Sequence, residues 1–280
     1  MVDGQLGKLK VGAIIQARMK SSRLPGKILM PIPFPNGKPL LWWIVNGVLK
    51  CKLIDEIILA SSLNKENDLL EAFCASNSVK LFRGSETDVL SRFIQIVRQN
   101  RLDIIIRLTG DNPIIDATLL DKTILHHIES QNDYTHTSGL PLGMNFELIT
   151  AKTILSLEDK ILSNEDIEHV THYVRNHSDF KKEEVRLFPN EQLGKIRLTI
   201  DYPSDFAALS MIFSLLGSGE FPDLNLIRKI KLERDWLFDI NAGNRQKQQY
   251  FSIFDEIQDA IKLLQQNDLN RAVEVLTSFK

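Results

Sequence analysis

Apolar residues in this chain follow two periods. Short β-branched runs at 11–16 (VGAIIQ), 56–60 (EIILA) and 104–108 (IIIRL) are almost continuously hydrophobic, as strands covered on both faces must be. Between them, apolar residues recur three and four apart. Residues 39–51 place Leu40, Ile44, Val48 and Leu49 on one helical face, and 66–75, 86–100 and 117–129 repeat the pattern. With a short strand at 79–82, strand and helix alternate as far as residue 129. That rhythm predicts an α/β fold, a mostly parallel sheet with helices on both faces.

From about 139 to 194 the rhythm breaks. This mixed insertion holds an expected strand at 145–149 and helix at 165–176. An apolar run at 196–200 (IRLTI) then reads as a further strand ending at Asp201, and Pro203 and Ser204 open a helix reaching about 216. The pattern divides the chain into a loose N-terminus at 1–10, an α/β domain at 11–229 and an amphipathic helical appendage at 230–280.

Composition narrows the function. With 280 residues, 43% of them hydrophobic and 25% charged, the chain can bury a sizeable core. A net charge of −2 gives no general attraction for nucleic acid or an anionic membrane, so any anion site is local. The start (MVDGQLGKLK) has no apolar core of a signal peptide, and no run is long enough to span a bilayer. Two cysteines, Cys51 and Cys74, lack metal-ligand spacing, and their scarcity points to the cytoplasm.

In an open α/β sheet, ligands bind beyond the carboxyl ends of the strands. The first strand is followed by Arg18, Ser22, Arg23 and Lys27, the second by Ser61 and Ser62, the third by Arg83, Gly84 and Asp88, and the fourth by Gly110 and Asp111; Asp201 follows the late run. Cations gather at the first and third ends, with single carboxylates at the fourth and last. That distribution suits a polyphosphate bridged by a divalent metal. It is not a P-loop, since Gly26-Lys27 is followed by Ile28, and "VGAIIQA" lacks the dinucleotide fingerprint. Each acid has a plainer reading: Asp111 as a turn former before Asn112-Pro113, Asp201 as a helix cap, and Asp205 as a surface residue of the first helical turn. His169 and His172, three apart, are a weak zinc pair. Trp42 and Trp43 read as packing residues, one of them at a subunit contact.

"IIQARMKSSRLPGKIL" resembles the nucleotide-binding signature of the sugar-acid cytidylyltransferases, the CMP-acylneuraminate and CMP-3-deoxy-manno-octulosonate synthetases. "LFRGSETDVLSRF", "RLTGDNPIID", "EHVTHYV" and "RLTIDYPSDF" are similar to the spore-coat polysaccharide branch of that family. The likeness covers about 11–216 and leaves out the tail. It implies a Rossmann-like nucleotidyltransferase fold, a homodimer, Mg²⁺, and transfer of CMP from CTP to a sugar-acid hydroxyl. It also implies that Asp111 and Asp201 hold the metal and that Arg18, Arg23 and Lys27 hold the triphosphate. Gln16, Ala17, Ser61, Arg83 and Asp88 would line the nucleotide pocket, and Glu147, Glu168 and His169 would lie near the sugar.

The departures from that pattern fall in the sugar half. Ile167 stands where the family usually has arginine, His172 where it has proline, and Leu142 where an acidic residue often precedes Gly143. They predict an acceptor other than N-acetylneuraminate or 3-deoxy-manno-octulosonate, unless Arg175 or Arg186 supplies the missing charge. Two other readings stay open: a nucleotidyltransferase using another base or a sugar-phosphate or phosphonate acceptor, and a non-catalytic binding protein that keeps the fold.

Overall fold

The computed structural model describes residues 9–246 and 252–278. The expected loose N-terminus falls largely on residues outside that range.

The first unit, which ends at Gly243, is built on a seven-stranded sheet. Its elements in chain order are β1 (Val11–Gln16), a small hairpin of β2 (Pro31–Ile32) and β3 (Lys38–Pro39), α1 (Leu40–Val48), β4 (Glu56–Ser62), α2 (Leu69–Asn77), β5 (Lys80–Gly84), α3 (Val89–Asn100), β6 (Ile104–Thr109), α4 (Ala117–Glu129), β7 (Tyr134–Ser138), β8 (Glu147–Thr150), α5 (Ala151–Leu155), α6 (Asn164–His169), α7 (His172–Asn176), β9 (Lys182–Arg186), α8 (Pro203–Phe213) and α9 (Leu224–Glu233). The sheet order is β5-β4-β1-β6-β8-β7-β9. Strands β5, β4, β1 and β6 run parallel. β8 pairs antiparallel with both β6 and β7, and β9 joins parallel to β7. Sequence order therefore reverses beside β1, which opens a crevice at the carboxyl ends of β1 and β6.

Strand alternation sends one set of side chains to each face. Ala13, Ile15, Leu59, Ile104 and Ile106 pack under α1, α2, α4, α8 and α9. Ile14, Ile58, Ala60, Ile105, Tyr134 and Ile149 pack under α3, α5 and α7. Both faces are covered, as the unbroken hydrophobic runs require.

Four expectations need correction. The helix at 165–176 breaks in two, because Val170 adopts φ 56° between α6 and α7. The run 196–200 is extended but forms no ladder. Among the described residues its one bridge is to Leu142, through Leu142 N–H to Ile196 O (2.9 Å) and Leu198 N–H to Leu142 O (2.8 Å). Strands β7 and β9 were not expected, since YTHTS and KEEVR carry few apolar residues. Finally, the first unit continues past 229, because Ile230, Leu237 and Phe238 are buried in its core. In the second unit, α10 (Ile253–Gln266) and α11 (Asn270–Thr277) are amphipathic helices. Ser252 caps α10 through the Asp255 N–H, and Arg245 pairs with Asp259 at 2.7 Å. No helix among the described residues is long and apolar enough to cross a membrane.

Candidate active site

The loop after β1 is tied down from its first residue. Ala17 N–H donates to the Ala60 carbonyl (3.1 Å), and Met19 N–H donates to Asn67 Oδ1 (2.8 Å). Gly26 N–H closes the loop on the Met19 carbonyl (2.9 Å), with Gly26 at φ 72°, a conformation glycine adopts at little cost. The turn delivers Lys27 into the interior, where it is only 8% exposed. Its ammonium donates to Asp111 Oδ2 (3.2 Å), to Asp201 Oδ1 (3.1 Å) and to the Ile200 carbonyl. An ammonium has three donors, and here all three are used.

The two acids reach that point by different routes. Gly110 N–H continues the β1 pairing to the Gln16 carbonyl (2.8 Å), and a Cβ at Gly110 would lie 2.7 Å from that of Ala17. Only glycine allows this approach, which brings Asp111 over the end of β1. Thr109 Oγ1 donates to Asp111 Oδ1 (2.6 Å), fixing the carboxylate. Asp201 comes from the extended run, which docks on Asp111 through Ile200 N–H to Asp111 O (2.9 Å). Besides Lys27, Asp201 meets Arg197 at 2.9 Å and Arg23 at 3.4 Å.

Beneath Asp201 lies a network that the sequence reading missed. Asp205 is fully buried, not a surface residue. It accepts from Arg197 (2.8 and 3.1 Å), from Asn241 Nδ2 (2.9 Å) and from the backbone N–H groups of Asp201 and Tyr202 (both 2.9 Å). Tyr202, not Asp201, is the N-cap of α8, so the capping role once open to Asp201 is taken. Replacing Asp205 by asparagine leaves Arg197 with less countercharge in a buried place. We expect a loss of about 2 kcal/mol in stability, read by urea unfolding; an unchanged midpoint would place the support of Asp201 elsewhere.

The remaining loop residues divide. Arg18 is exposed and pairs with Glu86 at 2.8 Å; Ser22 is exposed; Arg23 bonds the Tyr202 hydroxyl at 2.9 Å. Gln16 presents a buried Oε1 without a donor. Ser61 is fully buried on the α1 and α2 side of β4 and does not line the crevice, while Ser62 faces the other side. Arg83 is held by Asp68 (2.8 Å), by Glu71 and by the Ser62 and Asn64 carbonyls, which makes it a brace between β4 and β5. Asp88 caps α3 through the Ser91 N–H (2.8 Å). Gly84 is buried against Arg92.

A second cluster stands over β6, β8 and β7. Arg107, Glu147 and His136 are register partners on the α3 face. Glu147 accepts from Arg107 Nη1 (2.5 Å), the Tyr134 hydroxyl (2.6 Å) and Thr171 Oγ1 (3.1 Å), with Arg175 at 3.8 Å. Burial works to raise the Glu147 carboxyl, but the Arg107 charge and the Tyr134 and Arg107 hydrogen bonds outweigh it and hold Glu147 below the usual range. Val170, at its left-handed φ, is the bend that presents Thr171 to Glu147. Such a φ is costly for a β-branched residue and marks a position fixed by its surroundings. Gly143 runs against Leu198 and Thr199, where a Cβ would meet the Thr199 nitrogen at 2.9 Å. Of the other expected residues, Glu168 is exposed on α6 and His169 is half-buried.

His172 Nδ1 bonds Asp166 at 2.7 Å, and no group of three potential metal-binding His, Cys, Asp or Glu occurs among the described residues. Burial pushes the Cys51 thiol up to about 12 and that of Cys74 to about 11, so neither is a nucleophile near neutral pH.

The comparisons converge on one family. A family model described as cytidylyltransferase matches residues 12–273, which includes most of the tail. The spore coat polysaccharide biosynthesis protein SpsF of Bacillus subtilis is 36% identical over 225 residues, 78% of this chain and 92% of that protein. A 3-deoxy-manno-octulosonate cytidylyltransferase of Psychrobacter is 30% identical over 125 residues, 43% of each chain. The solved structure of a cytidylyltransferase from Leptospira borgpetersenii superposes with a TM-score of 0.76 at 29% identity, covering 86% of this chain and 100% of that one. A family model spanning most of the chain and a relative 36% identical over nearly its whole length agree with the fold, and this chain belongs to the cytidylyltransferase family.

Proposed function

We propose that the protein transfers the CMP group of CTP to a hydroxyl of a sugar acid, releasing pyrophosphate for surface-glycan synthesis, with Mg²⁺ and as a cytoplasmic homodimer. The observation that carries this reading is Lys27 held between Asp111 and Asp201 beside the arginine-bearing loop. Two carboxylates that share one ammonium also suit a small divalent cation. Two carboxylates are the usual protein share of a Mg²⁺ site, the rest coming from phosphate and water. When bound, such an ion neutralises phosphate charge and makes an oxygen it holds more acidic.

The chain's own groups divide the work along the sheet. Arg18, Arg23 and Lys27 line the β1 and β6 crevice and hold the triphosphate, favouring charge build-up on departing pyrophosphate. The Arg107, Glu147 and Thr171 cluster orients the acceptor over β8 and β7, so that its hydroxyl meets the α-phosphorus in line. Glu147 is kept ionised and already accepts three hydrogen bonds. Arg175, about half exposed and 3.8 Å from Glu147, is the cation placed to take the acid's carboxylate where Ile167 cannot. Arg186, exposed on the edge strand β9, is less well placed.

A pyrophosphate-release assay over the four nucleotides and a panel of sugar acids, sugar phosphates and phosphonates tests the reading. The expected result is Mg²⁺-dependent release with CTP and a sugar acid. Release only with another nucleotide, or only with a phosphate or phosphonate acceptor, would replace this function with the corresponding alternative. Within the panel, N-acetylneuraminate or 3-deoxy-manno-octulosonate giving the highest kcat/KM would mean that Arg175 fully restores the usual acceptor pocket.

A further inference from the structure

Arg92 lies on the apolar stripe of α3 among Val89, Phe93 and Ile96 and is 3% exposed. Its stem packs on Gly84 so closely that a Cβ there would come within 2.8 Å of Arg92 Cγ. Its Nε is buried without an acceptor, and no described residue forms a hydrogen bond or ion pair with the guanidinium. Glu86, Arg18 and Asp88 act on it electrostatically, but both acids are committed. Glu86 pairs with Arg18 (2.8 Å) and accepts from Asn64 (3.1 Å), and Asp88 accepts from the Ser91 N–H. A buried N–H donor without an acceptor is costly, and the Arg92 Nε asks for an acceptor from outside the chain.

Its place on the sheet says which acceptor. The anion loop follows β1 and the acceptor cluster stands over β8 and β7, so the nucleoside must extend the other way, over β4 and β5. Arg92 stands at the carboxyl end of β5. Glu86 is neutralised by Arg18, which also stands close enough to act on Arg92, so Asp88 is the carboxylate there not paired with a cation, and it suits a neutral ring carrying an amino group.

We propose that Arg92 reads the nucleobase, its guanidinium donating to the adjacent O2 and N3 acceptors of cytosine. Uracil carries a hydrogen on N3 and cannot accept there, so the same donor rejects UTP. A guanidinium, being a donor only, enforces that distinction. This assignment rests on the proposed CTP chemistry and names the residue that selects the base.

The test is calorimetric titration of the full chain, wild type, R92M and R92K, with CTP, UTP and CMP in the presence of Mg²⁺. Wild type should prefer CTP over UTP strongly. R92M should lose about a hundredfold in CTP affinity while UTP changes by less than about threefold, as expected when a site built to bond a substrate loses that bond. CMP should show the same loss as CTP, because the triphosphate is not involved, and R92K should recover only part of it. The ligand-free melting temperature of R92M should not fall, since the substitution removes a buried donor that has no acceptor. An R92M protein that keeps the wild-type CTP to UTP ratio overturns the proposal. So does equal weakening of CTP and UTP, which would make Arg92 a phosphate contact. A wild type without CTP preference would overturn the base assignment of the reaction as well.

Discussion

Asp111→Asn and Asp201→Asn should each lower the turnover of this cytidylyltransferase by at least about a hundredfold at saturating CTP and Mg²⁺. Each substitution preserves shape and removes one negative charge from the pair that converges on Lys27. Loss of one preorganised electrostatic contact in an active site costs about two to three orders of magnitude in other enzymes. The two variants should differ in stability. Asp111 keeps its neighbours engaged through Thr109, whereas Asp201 answers three cations: Lys27, Arg23 and Arg197. Asp201→Asn should therefore cost more stability, on the order of 2 kcal/mol, while Asp111→Asn should unfold close to wild type. Pyrophosphate release beside urea unfolding separates the effects. Near-normal turnover of either variant would remove that aspartate from the proposed metal-binding pair and leave it a purely structural anion.

The parallel half of the fold was legible because strands buried on both faces must be hydrophobic throughout, and VGAIIQ, EIILA and IIIRL are. Beyond it, β8 was legible as the strand expected at 145–149, but its neighbours β7 and β9 were not. β9 alternates exposed and half-buried residues along an edge, and β7 carries threonine and histidine because its side chains serve a polar cluster as well as the core. The run 196–200 misled for the opposite reason. Its apolar residues are buried, but its backbone serves as a strap from Leu142 to Asp111 instead of a ladder strand. At the site, the loop cations and the two aspartates stood out by type and position after strands. Ser61 failed on a one-residue phase, since period-two alternation turns it away from the crevice and Ser62 toward the other face. Arg83 and Asp88 stood at strand and helix ends, where sequence does not separate bracing or capping from ligand binding. Two buried charges carried a signal that periodicity could have shown. Arg92 falls three after Val89 and four before Ile96, in the middle of an apolar stripe, and Arg197 interrupts an apolar run eight residues before Asp205. A charge at a core position needs a partner, and finding that partner requires the fold.

Lys27→Met should reduce pyrophosphate release by about a thousandfold and, in the same protein, strengthen the binding of Mn²⁺ added without nucleotide by about tenfold. The first effect follows if Lys27 is a triphosphate ligand. The second follows from where its ammonium lies in the ligand-free chain. All three donors are spent on Asp111, Asp201 and the Ile200 carbonyl, so the ammonium occupies the oxygens that a divalent cation would need. It cannot serve phosphate without leaving at least one of them. Anionic phosphate arriving at the β1 loop would draw the ammonium outward and free the carboxylates, so nucleotide and metal should bind with positive coupling in wild type. Methionine keeps most of the buried volume and removes the competitor, leaving two nearby carboxylates without their shared cation. Mn²⁺ titration followed by electron paramagnetic resonance, with and without CTP, reads both proteins. Wild type should bind Mn²⁺ weakly alone and tightly with CTP, whereas the variant should bind it alone and gain less from CTP. If Lys27→Met loses turnover but leaves Mn²⁺ binding unchanged, Lys27 is a phosphate ligand only and its contacts with Asp111 and Asp201 do not compete with the metal.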